Sequence, residues 1–244
     1  MPDCATCSLF ALESDGENCL HVNRPGGLEL TQNLIHLSGL QVGASILEVA
    51  SGAGTTQQFL RQNGYKALGL DLSHQMLEFS RPGNPDLTCL QARGEQIPLA
   101  SASQDAVLIE CAFGLAGDAP DLLQEFKRVL RSGGWLLVTD IYLREVSDPR
   151  AVECLASTTC LAGTKQERAI RESMEQSGFV VQHWQDQTPL LKQWLARMIF
   201  KLGSLEAFFR RLVSSDQDAQ SLSRAMENGL KLGYYLMTAR NASG

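Results

Sequence analysis

The hydrophobic pattern has two regimes that change near residue 141. In the first, short runs that are apolar at almost every position alternate with stretches apolar on one helical face. The runs are Ser45–Ala50, Lys66–Asp71, Asp86–Gln91, Asp105–Cys111 and Trp135–Ile141. A strand with one wet face alternates apolar and polar residues, so a nearly continuous apolar run calls for cover on both faces. Between the runs, Leu28, Leu30, Leu34, Ile35 and Leu37 suit a helix ending near Gly39. A second helix passes through Phe59 and Leu60 and stops at Gly64, and a third spans Ser73–Ser80. Asp121–Leu130 sets Leu122, Phe126, Val129 and Leu130 on one face. Ser132-Gly133-Gly134 reads as the turn into Trp135–Ile141.

Beyond Ile141 the helical period dominates. Helices are predicted around Pro149–Leu161 and over Lys165–Gln176, then a strand at Phe179–Gln185. Leu190, Leu191, Trp194, Leu195, Met198, Ile199 and Leu202 recur at helical spacing, with further helices at Leu205–Val213 and Asp218–Asn228. A last apolar run, Gly233–Thr238, makes the seventh strand. The pattern predicts a doubly wound α/β fold: a mostly parallel, seven-stranded sheet with a helical cap. It divides into an N-terminal segment and cap helix (1–40), a sheet core (41–145) and a C-terminal part (146–244) with a helical insertion at about 188–230. The insertion's basic residues, Lys192, Arg197, Lys201, Arg210 and Arg211, read first as a solvated face and second as a binding patch.

Composition narrows the function. The 244 residues carry 21 basic and 27 acidic side chains, a net charge of −6. That balance disfavours nucleic acid and anionic membranes, which attract clustered cations. The start, Met-Pro-Asp-Cys-Ala-Thr-Cys, has no basic or apolar leader pattern. The apolar stretch around Ala106–Ala116 is broken by Glu110 and Gly114 and is too short to span a bilayer. Seven scattered cysteines suit reduced thiols, so a cytoplasmic setting is expected.

The chemistry concentrates after the first strand, in Glu48-Val49-Ala50-Ser51-Gly52-Ala53-Gly54-Thr55. Small residues there let the backbone approach a ligand, and the next helix presents unpaired N–H groups. A purely structural tight turn, or a dinucleotide site, has the same appearance. Asp71 closes the second strand, where a carboxylate accepts ribose hydroxyls. The competing reading is a helix cap, a role better suited to Ser73.

Five segments in order carry a resemblance: Ile46–Gly54, Gly69–Ser73, Gly94–Leu99, Asp105–Cys111 and Arg128–Asp140. Together they resemble the class I S-adenosylmethionine-dependent methyltransferases, in particular the small-molecule branch that includes quinone-biosynthesis enzymes. The resemblance implies S-adenosylmethionine as cofactor and a small-molecule acceptor. It further implies that Glu48 orients the cofactor's amino end while Ala50, Ser51, Gly52 and Gly54 admit its methionine part. Asp71 would hold the ribose, Leu72 and Met76 would line the adenine, and Arg93, Gly94 and Glu95 would meet its edge. Glu110 and Cys111 would lie beside the sulfonium. Two positions depart from the family: Ala50 stands where glycine is usual, and Arg93 where an acidic acceptor is common.

Methyl transfer depends on in-line positioning and exclusion of water, so no conspicuous catalytic residue is required. Glu110, Cys111, His21, His36 and Tyr142 are the candidate proton acceptors. Arg24 is placed in a solvated loop, with reach to the cofactor carboxylate as the alternative. Cys4, Cys7, Cys19 and His21 only imitate a zinc set, so no metal is assigned. Cys111, Cys154 and Cys160 leave open a soft metalloid substrate, with buried inert thiols favoured. The alternatives to an enzyme are a non-catalytic S-adenosylmethionine or nucleotide-binding module and, less well matched, an NAD-dependent oxidoreductase.

Overall fold

Residues of β1 (Ser45–Val49) divide their side chains between two cores, and this division organises the molecule. The computed structural model describes residues 24–80, 87–116, 120–146, 155, 161–213 and 215–242. Ile46 packs on one face of the sheet with Leu34, Leu60, Leu108 and Leu137. Leu47 and Val49 pack on the other with Val107, Ile109, Leu136, Val138 and Phe126. Successive strand residues point to opposite faces, so an unbroken apolar run serves both cores.

In chain order the elements are α1 (Gly27–Ser38), β1, α2 (Thr55–Gln62), β2 (Lys66–Asp71), α3 (His74–Ser80), β3 (Cys89–Gln91) and β4 (Gln104–Glu110). A 3₁₀ turn (Phe113–Ala116) follows, then α4 (Pro120–Val129), β5 (Leu130–Val146), α5 (Glu167–Gln176) and β6 (Phe179–Asp186). The chain continues through α6 (Thr188–Leu202), α7 (Leu205–Phe209), α8 (Asp216–Glu227) and β7 (Leu230–Asn241). The sheet order is β3-β2-β1-β4-β5-β7-β6. β1 to β5 are parallel, and β7 runs antiparallel between β5 and β6. Strand order reverses between β1 and β4, so a crevice opens at their carboxyl ends. No helix among the described residues is long and apolar enough to cross a membrane.

The seven-stranded, mostly parallel α/β sheet agrees with the sequence pattern, while several boundaries differ. β5 covers Leu130–Val146 rather than Trp135–Ile141. Ser132-Gly133-Gly134 lies inside it, as an irregularity where pairing with β4 jumps from Gln104↔Leu130 to Ala106↔Trp135; Gly133 takes φ +67° there. Past Thr139, β5 leaves β4 and continues beside β7, from Asp140↔Tyr235 to Val146↔Leu230, with one isolated bridge from Leu143 to Gln166. Exposed Arg144 and Glu145 interrupt the apolar run on this ribbon, which hides the extension from a hydropathy reading. β7 is longer than Gly233–Thr238 for the same reason. The third strand is only Cys89–Gln91, α7 closes at Phe209, and the helix expected around Pro149–Leu161 lies largely outside the described residues.

A third core joins the helices after β6 to the protruding ribbon. Met198, Phe208, Phe209, Leu212 and Leu222 pack with Leu143 and Leu230. α6, α7 and α8 thereby stand over the carboxyl end of the sheet.

Candidate functional site

The turn after β1 is wound left-handed at three positions: Ala50 (φ +57°), Gly52 (φ +53°) and Gly54 (φ +78°). Glycine enters this region freely, whereas an alanine there is strained. The turn is tied down by Ser51 N donating to Leu70 O at 3.1 Å and by Gly54 N donating to Ser51 O at 2.9 Å. Asp71 adds the third tie. Its Oδ2 accepts from Gly52 N at 2.7 Å and its Oδ1 from Ser73 N at 2.8 Å. Ser73 Oγ accepts from Met76 N at 3.3 Å, so the helix cap falls to Ser73. Each Asp71 oxygen keeps acceptor capacity beyond its one backbone bond.

The segment after β3 is stitched to the same place, since Ala92 N donates to Asp71 O at 3.2 Å and Gln91 Nε2 to Leu72 O at 3.3 Å. Arg93 and Glu95 form a loose pair at 3.8 Å beside Gly94. Gly94 is closely packed, because an added Cβ would meet Leu122 at 2.6 Å. Leu72 is 48% exposed, an apolar side chain left uncovered next to Asp71. Half-buried Met76 approaches the turn from α3, its Cε 3.4 Å from where a Cβ on Gly52 would sit.

A buried polar cluster lies on the α2 side of the turn. Arg24 is 8% exposed, which corrects its expected placement in a solvated loop. Its Nη2 lies 2.5 Å from Glu110 Oε2 and donates to Thr31 Oγ1 at 2.6 Å, while its Nη1 donates to Thr56 Oγ1 at 3.1 Å. Thr31 in turn donates to Glu110. Glu110 is therefore an ion-paired group and not a free acceptor. Burial raises its proton affinity and Arg24 opposes that effect. Glu48 is also buried, and burial together with the charge of Glu110 pushes its carboxyl up to about 8. Among the described residues, three polar atoms here have no partner: Glu48 Oε2, Ser51 Oγ and Arg24 Nε. An unsatisfied buried polar atom costs ~1–3 kcal/mol, so three at one turn point to a ligand that completes them.

Next to this cluster, under α6–α8, is a cavity of about 380 Å³. Its buried end holds Arg24, Cys111, Asp140 and Tyr234; its walls include Ile141, Leu191, Trp194, Leu195, Phe208 and Leu212. Exposed Arg144, Lys192 and Lys231 complete the lining. Cys111 takes φ +56° at the tip of β4, and its Sγ lies 2.9 Å from Tyr234 Oη, which donates to Thr139 Oγ1 at 3.0 Å. Burial, then the charge of Asp140, push the Cys111 thiol well up. Asp140 is raised to about 6 by burial, although it accepts from Gly114 N at 2.8 Å and Ile141 N at 2.7 Å.

The structure brings Glu48, Ala50, Ser51, Gly52, Gly54, Asp71, Leu72, Met76, Arg93, Gly94 and Glu95 around one turn, with Glu110 and Cys111 between it and the cavity. Tyr142 is elsewhere: it packs edge-on against Trp184 and Tyr235 at 5.6 and 6.0 Å and does not line the cavity. His36 is exposed in the last turn of α1. His21, Cys4, Cys7, Cys19, Cys154 and Cys160 lie outside the described residues. Of the basic residues in the insertion, Lys192 lines the cavity, whereas Arg210 pairs with Glu206 and Asp216. Asp140 and Tyr234, absent from the sequence candidates, are prominent at the buried end. Asp140 closed a quoted motif, but Tyr234 reads as one more apolar-strand residue.

Residues 47–138 match the family model for a methyltransferase domain. Over those residues the chain is similar to methyltransferases. The chain is 38% identical over 98 residues to a malonyl-[acyl-carrier protein] O-methyltransferase of Enterobacter lignolyticus, covering 40% of this chain and 39% of that protein. It is 34% identical over 104 residues to a demethylmenaquinone methyltransferase of Beutenbergia cavernae, covering 42% of each. The match thus spans about two fifths of these relatives' own length. Haemonchus contortus phosphoethanolamine N-methyltransferase 2, solved in complex with S-adenosyl-L-methionine, shares the fold at a TM-score of 0.71 and 18% identity, over 90% of this chain and 54% of that one.

Proposed function

We propose that this protein binds S-adenosylmethionine at the turn between β1 and β2 and catalyses transfer of its methyl group to a small molecule in the adjoining cavity. One observation carries the reading: unpartnered Glu48 Oε2, Ser51 Oγ and Arg24 Nε surround a left-handed turn beside the buried end of an apolar cavity. The residues fit the cofactor's chemistry. Glu48 and Ser51 offer acceptors to its ammonium, Arg24 offers a donor to its carboxylate, and Asp71 has lone pairs for two ribose hydroxyls. Leu72 and Met76 give an apolar surface for the adenine, with Arg93, Gly94 and Glu95 at its edge. Arg93 has no acceptor, so a backbone carbonyl or Glu95 serves the adenine amino group.

S-adenosylmethionine, when bound, supplies a methyl group on a positively charged sulfur. The chain's part is to orient and to exclude water. Glu110 and the main chain at Cys111 form the boundary through which the two ligands meet, and Arg24 touches both sides. Asp140, at the buried end, takes a proton from acceptors that must lose one; its carboxyl near 6 is mostly ionised at neutral pH yet basic enough to accept. In this reading 41–145 is the cofactor-binding part, and the insertion 188–230 roofs the acceptor. An acidic chain with a recessed site suits a small molecule rather than nucleic acid, and reduced Cys89 and Cys111 suit a cytoplasmic setting.

Calorimetry with S-adenosylhomocysteine tests the cofactor half; no binding at millimolar concentration would overturn it. Release of S-adenosylhomocysteine across a panel of small acceptors tests the chemistry, and binding without turnover on any acceptor would reduce the protein to a binding module.

A further inference from the structure

The acceptor cavity is uneven in charge. The described residues of its lining include four cations, Arg24, Arg144, Lys192 and Lys231, against one acid, Asp140. The chain as a whole has the opposite balance, 27 acidic to 21 basic residues. At the buried end the charges are accounted for, since Arg24 pairs with Glu110 and Asp140 accepts backbone N–H groups. At the exposed end they are accounted for only in part. Lys231 pairs with Glu145, and Arg144 reaches Asp186 only at 4.0 Å. Lys192, in the second turn of α6, has no carboxylate partner among the described residues.

The two ends are joined by an apolar wall. Leu230, Leu232 and Tyr234 are alternate residues of β7 and share a face. At a rise of ~3.4 Å per residue, the four steps from Tyr234 to Leu230 span ~14 Å. Trp194 and Leu195 of α6 and Phe208 of α7 line the same space. An apolar surface of this kind favours hydrocarbon at ~25 cal/mol per Å² removed from water. Apolar walls beside the three cations also lower the local dielectric, which strengthens attraction for an anion.

We infer that the methyl acceptor is an elongated apolar molecule carrying an anionic group. The anion lies against Lys192, Lys231 and Arg144, and the accepting atom lies at the buried end by Cys111 and Tyr234. This rests on the proposed methyl transfer. There, a lone pair on the accepting atom forms the new bond to the methyl carbon while the carbon–sulfur bond breaks onto sulfur. A proton displaced from the acceptor passes to Asp140.

The test is calorimetry of the full chain with decanoate, decan-1-ol and decylammonium below their aggregation limits, with S-adenosylhomocysteine titrated separately. Decanoate is expected to bind at least roughly tenfold more tightly than decan-1-ol, and decylammonium more weakly than either. The double variant Lys192→Gln/Lys231→Gln should bring decanoate to within about twofold of the alcohol, leaving the alcohol and S-adenosylhomocysteine unchanged. Equal affinity for the acid and the alcohol, tight decylammonium binding, no binding of any decyl compound, or a preference that survives in the double variant would each overturn the inference. Should wild-type protein show the decanoate preference but fail to bind S-adenosylhomocysteine, the methyl-transfer reading falls while the cavity's anion selectivity stands.

Discussion

Ala50 holds a backbone angle that its methyl group opposes, and replacing it with glycine measures that opposition. At φ +57° an L-residue is disfavoured by ~1–2 kcal/mol. Glycine removes this strain but loses ~0.5–1 kcal/mol through the greater freedom of the unfolded chain. The Ala50 side chain is exposed, so no packing is lost. Ala50→Gly is therefore expected to stabilise the fold by ~0.5–1 kcal/mol, the strain relief less the entropy cost. For a chain of this size that raises the melting temperature by ~1–4 °C. Urea denaturation at pH 7 is the assay, with the midpoint moving up at constant slope. Ala102 is a matched control: it is also exposed and left-handed, at φ +52°, but precedes β4 at the amino end of the parallel strands, away from the Ala50 turn. Ala102→Gly should give a similar gain and leave S-adenosylhomocysteine affinity unchanged. A destabilised Ala50→Gly beside a stabilised Ala102→Gly would refute strain as the cost of Ala50. Loss of stability in both would refute the reasoning at its root.

Glu48 keeps its proton up to about pH 8 when folded but ionises near 4.5 when unfolded, so its ionisation works against folding as pH rises through that window. Glu48→Gln should be more stable than wild type at pH 9 and no more stable at pH 5; equal shifts at both would contradict the assignment. A bound ammonium beside Glu48 should expel its proton. S-adenosylhomocysteine binding at pH 7 is thus expected to release ~0.9 proton, measured in buffers of different ionisation enthalpy, and Glu48→Gln should abolish the release. Asp71→Ala should weaken S-adenosylhomocysteine by ~1–3 kcal/mol and Asp71→Asn by less; an unchanged affinity would mean the ribose lies elsewhere. Arg24→Met strands the Glu110 charge and should cost ~3–5 kcal/mol of stability, most of it recovered in Arg24→Met/Glu110→Gln. A double variant as unstable as the single would assign the loss to packing.

The strands of the parallel half were legible because burial on two faces leaves an unmistakable composition: Ile46, Leu47 and Val49 have no polar position to occupy. Glu48 is the exception, and its place in a buried strand already marks it as unusual. The ribbon of β5 and β7 was legible only in part, because Arg144, Glu145 and Lys231 face water and break the run that identifies a strand. Arg24 was the hardest to read. Its partners Thr31, Thr56 and Glu110 are 7, 32 and 86 residues away, and only the assembled fold brings them into reach. The cavity shares this difficulty. Leu191, Trp194, Phe208 and Leu212 carry the signature of an ordinary helical core, and a core and a lined cavity differ only in how closely the far side approaches.

The position of β7 has a consequence for how the molecule comes to be made. It follows every other strand in the chain, yet it lies between β5 and β6 and is hydrogen-bonded to both. Until Leu230–Asn241 has left the ribosome, β5 and β6 cannot join one sheet, and each keeps an open row of backbone donors and acceptors. Tyr234 and Leu230 also belong to this strand, so the cavity lacks one of its walls before the sheet is closed. The nascent protein therefore passes through a stage in which the left-handed turn after β1 can already be formed while the neighbouring cavity is still open.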